Sequence, residues 1–235
     1  MEKEKIITVK NLTKKYGDFA AVDAISFEVY KGEIFGFLGA NGAGKTTAMK
    51  MLIGISNPTA GEANVAGFDV VKNPEMVKKN IGYMSQKFSM YDDLTVRENI
   101  VFFGGIYGLS RSDIKTKTTA LVKELQIEDI IDSLVGSLPL GWKQKLSFSV
   151  ALLHEPKIVF LDEPTGGVDP ITRRQFWEMI YTQACKGTTI FFFTHYMDEA
   201  EYCDRVSIMV AGKIEALDTP KKLKEQFKVE SMNDV

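Results

Sequence analysis

The stretch "EIFGFLGANGAGKTTAMKML" constrains this chain more than any other. An apolar run ends at a glycine, and Gly39, four further residues, Gly44, Lys45 and Thr46 follow in the spacing of a phosphate-binding loop. That spacing carries meaning only between a strand and a helix, and the flanking pattern predicts both. Glycines let successive backbone N–H groups turn toward one centre, and the helix N-terminus adds its dipole. Lys45 is suited to neutralising β- and γ-phosphates, and the Thr46 hydroxyl to meeting Mg²⁺. A glycine-rich strand-to-helix turn would account for the glycines but not for the lysine and threonine after them.

Around this landmark, short β-type runs alternate with helical ones, which indicates an α/β fold. "IITVK" and "AISFEVY" read as strands, with Ile25, Phe27 and Val29 on one face. One polar face places these strands in an antiparallel subdomain. A helix is expected from residue 45 to about residue 55, and "EANVAG" and "IGYMSQ" read as further strands. Then the period changes. "TVRENIVFFGGIYG", "SRSDIKTKTTALVKELQI" and "GWKQKLSFSVALLHEP" are helical, with Thr95 and Ser110 as caps. "KIVFL" and "TTIFFF" suit buried parallel strands. "RVSIMVAGKIEAL" predicts a hairpin around Ala211-Gly212, "TPKKLKEQF" a last helix, and "KVESMNDV" a polar tail without evident task.

Composition narrows the functional classes. The 235 residues are 45% apolar and 26% charged, with a formal net charge of −2, so bulk charge gives no reason to expect nucleic acid as a partner. Cys185 and Cys203 lack metal-ligand spacing and read as reduced thiols of a cytosolic protein. The N-terminal "MEKEKIITVK" lacks the apolar stretch of a signal peptide. The longest apolar runs, residues 100–109 among them, fall short of the roughly 20 residues a membrane span requires.

Chemistry gathers at other strand ends. Asp162 ends the run "KIVFLD", where a carboxylate reaches Mg²⁺ through water, and Glu163 follows, placed to polarise an attacking water. Taken alone, the pair would read as solvated acids. His195 ends "TIFFFTH", where a neutral ring would donate to a γ-phosphate or orient the water. Gln86 ends "IGYMSQ" at a hinge position, its amide suited to Mg²⁺ or the water. His154, before a proline, reads as a helix C-terminal cap.

In this order the phosphate loop, Gln86, "LDEPTGGVDP", His195 and "MDEAEYCDRVSIMVAGKI" resemble the nucleotide-binding domain of an ABC transporter, over about residues 6 to 227. The resemblance implies a P-loop NTPase core with an antiparallel β subdomain and an inserted helical subdomain. Residues 1–86 and 156–228 would form the first two, residues 87–155 the helical subdomain, and residues 229–235 the tail. It implies ATP and Mg²⁺ as ligands. Tyr16 would stack on adenine; Asn41, Gly42, Gly44, Lys45, Thr46 and Thr47 would hold phosphates. Thr46, Gln86 and Asp162 would serve the metal, and Glu163, His195 and Gln86 the reaction. Asp169 would lie at the seam of a head-to-tail dimer, with this chain or a second ABC ATPase.

In that dimer a signature turn of one subunit, normally leucine-serine-glycine-glycine, closes on the ATP of the other. Here "SLPLGWKQKLS" puts Pro139 where serine stands and Leu140 where the first glycine stands. Gly141 remains, to act in trans. Proline suits a first helical turn, so a helix start survives without the hydroxyl. "MSQKFSMYDDLTVRENI" is similar to exporter ATPases that pair with separate ABC-2-type permeases. The implied protein is therefore a transport ATPase, peripheral on the cytoplasmic face of the membrane through its permease. Two alternatives stay open: a non-transport ABC ATPase, and a regulatory ATP-binding module with weak turnover. Against chromosome-type members, only about fifty residues separate Gln86 from "LPLGW", with no sustained heptads.

Overall fold

In the computed structural model, residues 3–86 and 90–235 are described; residues 87–89, inside the exporter-like stretch, lie outside them. Two sheets organise the molecule. Strands β1 (Lys5–Tyr16), β2 (Phe19–Tyr30), β4 (Ala60–Val65) and β5 (Phe68–Asp69) form an antiparallel sheet in the order β2-β1-β4-β5. The second sheet adds β3 (Ile34–Leu38), β6 (Ile81–Met84), β7 (Ile158–Asp162), β8 (Thr189–Thr194), β9 (Arg205–Val210) and β10 (Lys213–Asp218) in the order β10-β9-β3-β8-β7-β6. Its strands are parallel except β10, which returns from β9 through Ala211 and Gly212, both at positive φ, as a tight hairpin requires.

Strand alternation divides the core. Phe35, Phe37, Phe160, Phe191 and Phe193 point toward the antiparallel sheet, where Phe27 stacks on Phe35 with ring centroids 5.7 Å apart. The intervening Leu38, Val159, Leu161 and Phe192 point the other way, onto Phe176, Trp177 and Ile180 of helix α6 (Pro170–Cys185). Burial on both faces explains the unbroken apolar runs of β3 and β8, and why they lack an amphipathic pattern.

Between β3 and β7 come α1 (Lys45–Leu52), α2 (Pro74–Asn80), α3 (Val96–Ile106), α4 (Arg111–Leu125) and α5 (Leu140–Ala151). The last three enclose an apolar cluster that includes Val96, Ile100, Leu121, Leu146 and Val150. Thr95 closes a capping box with Glu98, and Ser110 accepts from the Asp113 amide, as their cap chemistry anticipates. Helix α7 (Pro220–Phe227) starts at its Thr219 cap.

Several expectations need correction. Strands β1 and β2 run well beyond their apolar cores, because bulges at Asn11 and Ala24, both at positive φ, keep the ladder going through polar sequence. Helix α1 ends at Leu52, where Gly54 turns left-handed. Pro139 is the cap residue before α5, with φ −56° and ψ 149°, and not part of its first turn. His154 does not cap α5: its Nε2 lies 2.9 Å from Ile81 O of β6, and its ring stacks on Tyr107. The polar tail is tethered, with Met232 buried in the same apolar cluster as Leu223 of α7.

Candidate functional site

Parallel pairing of β3, β8, β7 and β6 brings their C-terminal ends to one edge of the sheet, where α/β proteins place ligands. The phosphate loop leaves β3, Gln86 follows β6, Asp162 and Glu163 end β7, and His195 follows β8. Four segments distant in sequence thus meet because the strands that carry them are neighbours.

The loop's glycines have separable reasons. Gly44, φ 106°, has no room for a side chain, since a Cβ would stand 2.2 Å from Ala21 O. Gly42, φ 83°, has open space where a Cβ would be, on an exposed stretch shared with Ala40 and Asn41. Packing forbids a side chain at Gly44, whereas at Gly42 it is the positive φ and not space that favours glycine. Lys45 is buried and donates to Gly39 O at 2.6 Å and Ala40 O at 3.1 Å, so its ammonium caps carbonyls of its own loop. Burial pulls its pKa below the ordinary value, against the raising influence of Glu163 and Asp162. Thr46 is exposed and Thr47 half-buried, both in the first turn of α1.

Glu163 is the centre of the polar cluster. Gln86 Nε2 donates to its Oε2 at 2.5 Å, and His195 Nδ1 lies 2.7 Å from its Oε1. Its side chain is 10% exposed. Its backbone is left-handed, φ 48°, held by its own N–H to Phe193 O and by Gly166 N–H to its carbonyl. A non-glycine residue in that conformation is a local strain that the surrounding bonds maintain. With an ionised Glu163 accepting at Nδ1, a neutral His195 presents Nε2 as an acceptor. That ring suits orienting a water, and donating to phosphate would require its cationic form. Burial foremost, and then the neighbouring Glu163, push the Asp162 pKa up, while Lys45 and the Gln86 backbone N–H act in the other direction. Two adjacent carboxylates with one nearby ammonium suit a divalent cation. Among the described residues no group of three or more His, Cys, Asp or Glu side chains is arranged to hold a metal ion by itself.

Tyr16 ends β1 as a residue 57% exposed, with Lys14 Nζ 5.4 Å from its ring centroid. Its hairpin lies beside the loop, because Ala21 of the same hairpin abuts Gly44. Gly141 does not join the Glu163 cluster: it sits at the N-terminus of α5, where a Cβ would come within 2.6 Å of Thr172 Cγ2. The first helical bonds of α5 run from Trp142 and Lys143 to Pro139 O, leaving the earlier amides of Leu140 and Gly141 outside the helix ladder. Leu140 and Gln144 nevertheless line the same cleft as Gln86, Glu163 and His195, a space of about 310 Å³. Asp169 caps α6, accepting from the amides of Ile171 and Thr172 and from the Thr172 hydroxyl. The Asp-Pro pair announces that cap in the sequence, but α6 passed unread there. Also unread were Thr165, Thr194 and Glu199, buried together behind Glu163 and His195. Nothing in "MDEAEY" separates Glu199 from the acids beside it.

A strand–loop–helix with phosphate-binding spacing, and an acidic pair ending β7, the next strand but one in the sheet, define a P-loop nucleotide hydrolase. The chain belongs to the ABC transporter family: the family's sequence profile matches residues 22–166. It is 48% identical over 223 residues, 95% of its length, to the probable multidrug ABC transporter ATP-binding protein YbhF of Escherichia coli. It spans only 39% of that relative's length. It is 37% identical to the Nod factor export ATP-binding protein I of Burkholderia orbicola, covering 93% of this chain and 72% of that one. The solved structure of an ATP-binding subunit of an ABC transporter superposes with a TM-score of 0.86 at 30% identity, over 97% of both chains. An ATP-binding cassette in its ADP conformation shares the fold, with a TM-score of 0.84 at 23% identity and 95% and 94% of the two chains covered. Among the described residues no helix is long and apolar enough to cross a membrane.

Proposed function

We propose that this chain is the ATP-binding and ATP-hydrolysing subunit of an ABC transporter, working on a separate integral-membrane permease as an exporter. The observation that carries the reading is the Glu163 carboxylate, held by Gln86 and His195 beside the Asp162 and Lys45 pair. Lys45 would leave the Gly39 and Ala40 carbonyls for phosphate oxygens, while the loop amides around Asn41, Gly42 and Gly44 and the first turn of α1 with Thr46 and Thr47 close around them. Tyr16 offers its exposed face to adenine. Thr46 and Asp162, with the Gln86 amide, would hold Mg²⁺, which supplies charge neutralisation on the phosphates. Glu163 accepts a proton from the attacking water as its oxygen bonds to the γ-phosphorus and the bond to ADP breaks. His195 and Gln86 fix that carboxylate, and His195 Nε2 is free in its tautomer to align the water.

Gly141 would act in trans, through the unbonded amides of the α5 N-terminus, in a head-to-tail dimer with a second copy or another ABC ATPase. Pro139 gives no hydroxyl there, which favours slow turnover by the isolated chain. Support for a membrane partner comes from α3, whose Val101, Phe102 and Ile106 are exposed beside Tyr91, a few residues past Gln86. Through such a partner the chain would sit on the cytoplasmic face of the membrane. The export direction follows the names of the multidrug and Nod factor relatives.

Calorimetric titration with ATP and Mg²⁺ tests the nucleotide reading. Lys45→Ala should lose a charge-assisted contact of roughly 1.5–3 kcal/mol, about 10- to 100-fold in affinity. Affinity near wild type would refute the assignment of the loop.

A further inference from the structure

Behind the cluster lies a carboxylate that the mechanism above does not use. Glu199, in the 3₁₀ segment Met197–Tyr202, has no exposed surface, nor have Thr165 and Thr194. The Thr165 hydroxyl donates to Glu199 Oε1, and the Thr194 hydroxyl to Oε2 at 2.6 Å. Thr194 Oγ1 in turn accepts from the Tyr196 amide at 3.0 Å. Thr165 is two residues past Glu163, and Thr194 immediately precedes His195. The two hydroxyls therefore belong to the two segments whose side chains meet at the Glu163–His195 contact.

We propose that Glu199 is a positioning residue for this site: its carboxylate ties the loop after β7 to the end of β8, and so sets the Glu163–His195 geometry. The proposal rests on the reading of Glu163 as the carboxylate that faces the water. A buried acid is an expensive way to fill space, since an apolar side chain of similar size avoids the desolvation cost. The cost is reflected in a Glu199 pKa raised by burial, which the Thr165 and Thr194 hydroxyls and then Arg173 counteract, with Asp198 adding to the rise. What the acid supplies and a leucine cannot is two charge-assisted bonds of fixed direction, one to each segment. Displacements of about 1 Å at such contacts are enough to cost large factors in rate.

The chain has only two histidines, which makes the geometry visible by spectroscopy. With Glu163 accepting, neutral His195 carries its proton on Nδ1, whereas His154, facing Ile81 O through Nε2, carries its proton there. Imidazole ¹⁵N–¹H spectra of the nucleotide-free protein, with both rings neutral, separate the two, and His154→Gln assigns them. The variants are Glu199→Gln, Glu199→Ala and the near-isosteric Thr165→Val and Thr194→Val, which keep the test open if Glu199→Ala melts early. Wild type and Glu199→Gln should keep the His195 proton on Nδ1. Glu199→Ala and Thr194→Val should shift it to the Nε2 form that free imidazole side chains prefer, and lower kcat about tenfold with KM for ATP changed by less than about twofold. An unchanged His195 tautomer in these two variants overturns the proposal, whatever happens to the rate. A raised KM with unaltered kcat overturns it too. If the tautomer shifts as stated but wild type hydrolyses no ATP, the tether stands and the ATPase reading falls.

Discussion

Asp162 and Glu163 sit side by side at the end of a buried strand. Asp162 has its pKa raised, first by burial and then by its neighbour. For a carboxyl raised in the folded state, the stabilising contribution is complete below the unfolded value of about 4 and is lost as pH climbs through the folded value. Nucleotide-free wild type should therefore lose stability relative to Asp162→Asn as pH rises from about 4 through the raised folded value, because the amide keeps the contact to the Gln86 N–H without the charge. Thermal melts without Mg²⁺ should show Asp162→Asn melting above wild type at neutral pH, the gap narrowing as the solution is acidified. A variant that melts below wild type at neutral pH would mean that Asp162 is structurally satisfied as an anion. The sequence exposed both acids, since an apolar run ending in two carboxylates beside a phosphate loop has few other uses. It did not expose the left-handed backbone at Glu163 or the buried Glu199, because neither local propensity nor spacing records a contact made through tertiary packing.

At the scale of elements, the segment proposed as a signature turn, Pro139 to Gly141, is where this chain departs from the family pattern. Helix α5 begins at Leu140, with Pro139 in extended geometry before it, so the α5 dipole and the free amides of Leu140 and Gly141 survive the loss of serine. Replacing both residues, Pro139→Ser with Leu140→Gly, should restore a hydroxyl cap and a mobile backbone position. ATP-driven dimerisation, followed by light scattering, and the hydrolysis rate should each rise several-fold. No change in either would reduce the segment to a helix start. Gly141 itself is a poor probe, since any side chain there collides with Thr172 and would report on packing between α5 and α6. Helices α3 and α4 were legible from their period and caps, and α5 from its period alone. Helix α6 was not, because only Phe176, Trp177 and Ile180 of its sixteen residues are buried, too few to mark a helical period in the sequence.

Across the whole molecule, a buried parallel sheet fixes the site, and the exposed apolar residues of α3 form the surface proposed to meet a membrane partner. Buried β3, β7 and β8 read clearly from their apolar runs. The order of the strands did not, since pairing between distant segments leaves no mark in a single sequence. On the outer face, Phe102 and Ile106 are 40% and 61% exposed. Phe102→Glu with Ile106→Glu should leave hydrolysis by the isolated chain within about twofold of wild type, as surface changes away from a site generally do, while abolishing co-purification with the permease. Retained co-purification would move the docking surface elsewhere.

Phosphate release tests directly whether ATP hydrolysis by this chain depends on the Glu163 carboxylate. Steady-state phosphate release and ATP affinity are measured for wild type and Glu163→Gln under the same Mg²⁺ and protein concentrations. The amide preserves shape and cannot take the proton, so turnover should fall on the order of 10²-fold or more, with ATP still bound and the dimer trapped. Phosphate release by Glu163→Gln at the wild-type rate would contradict the account.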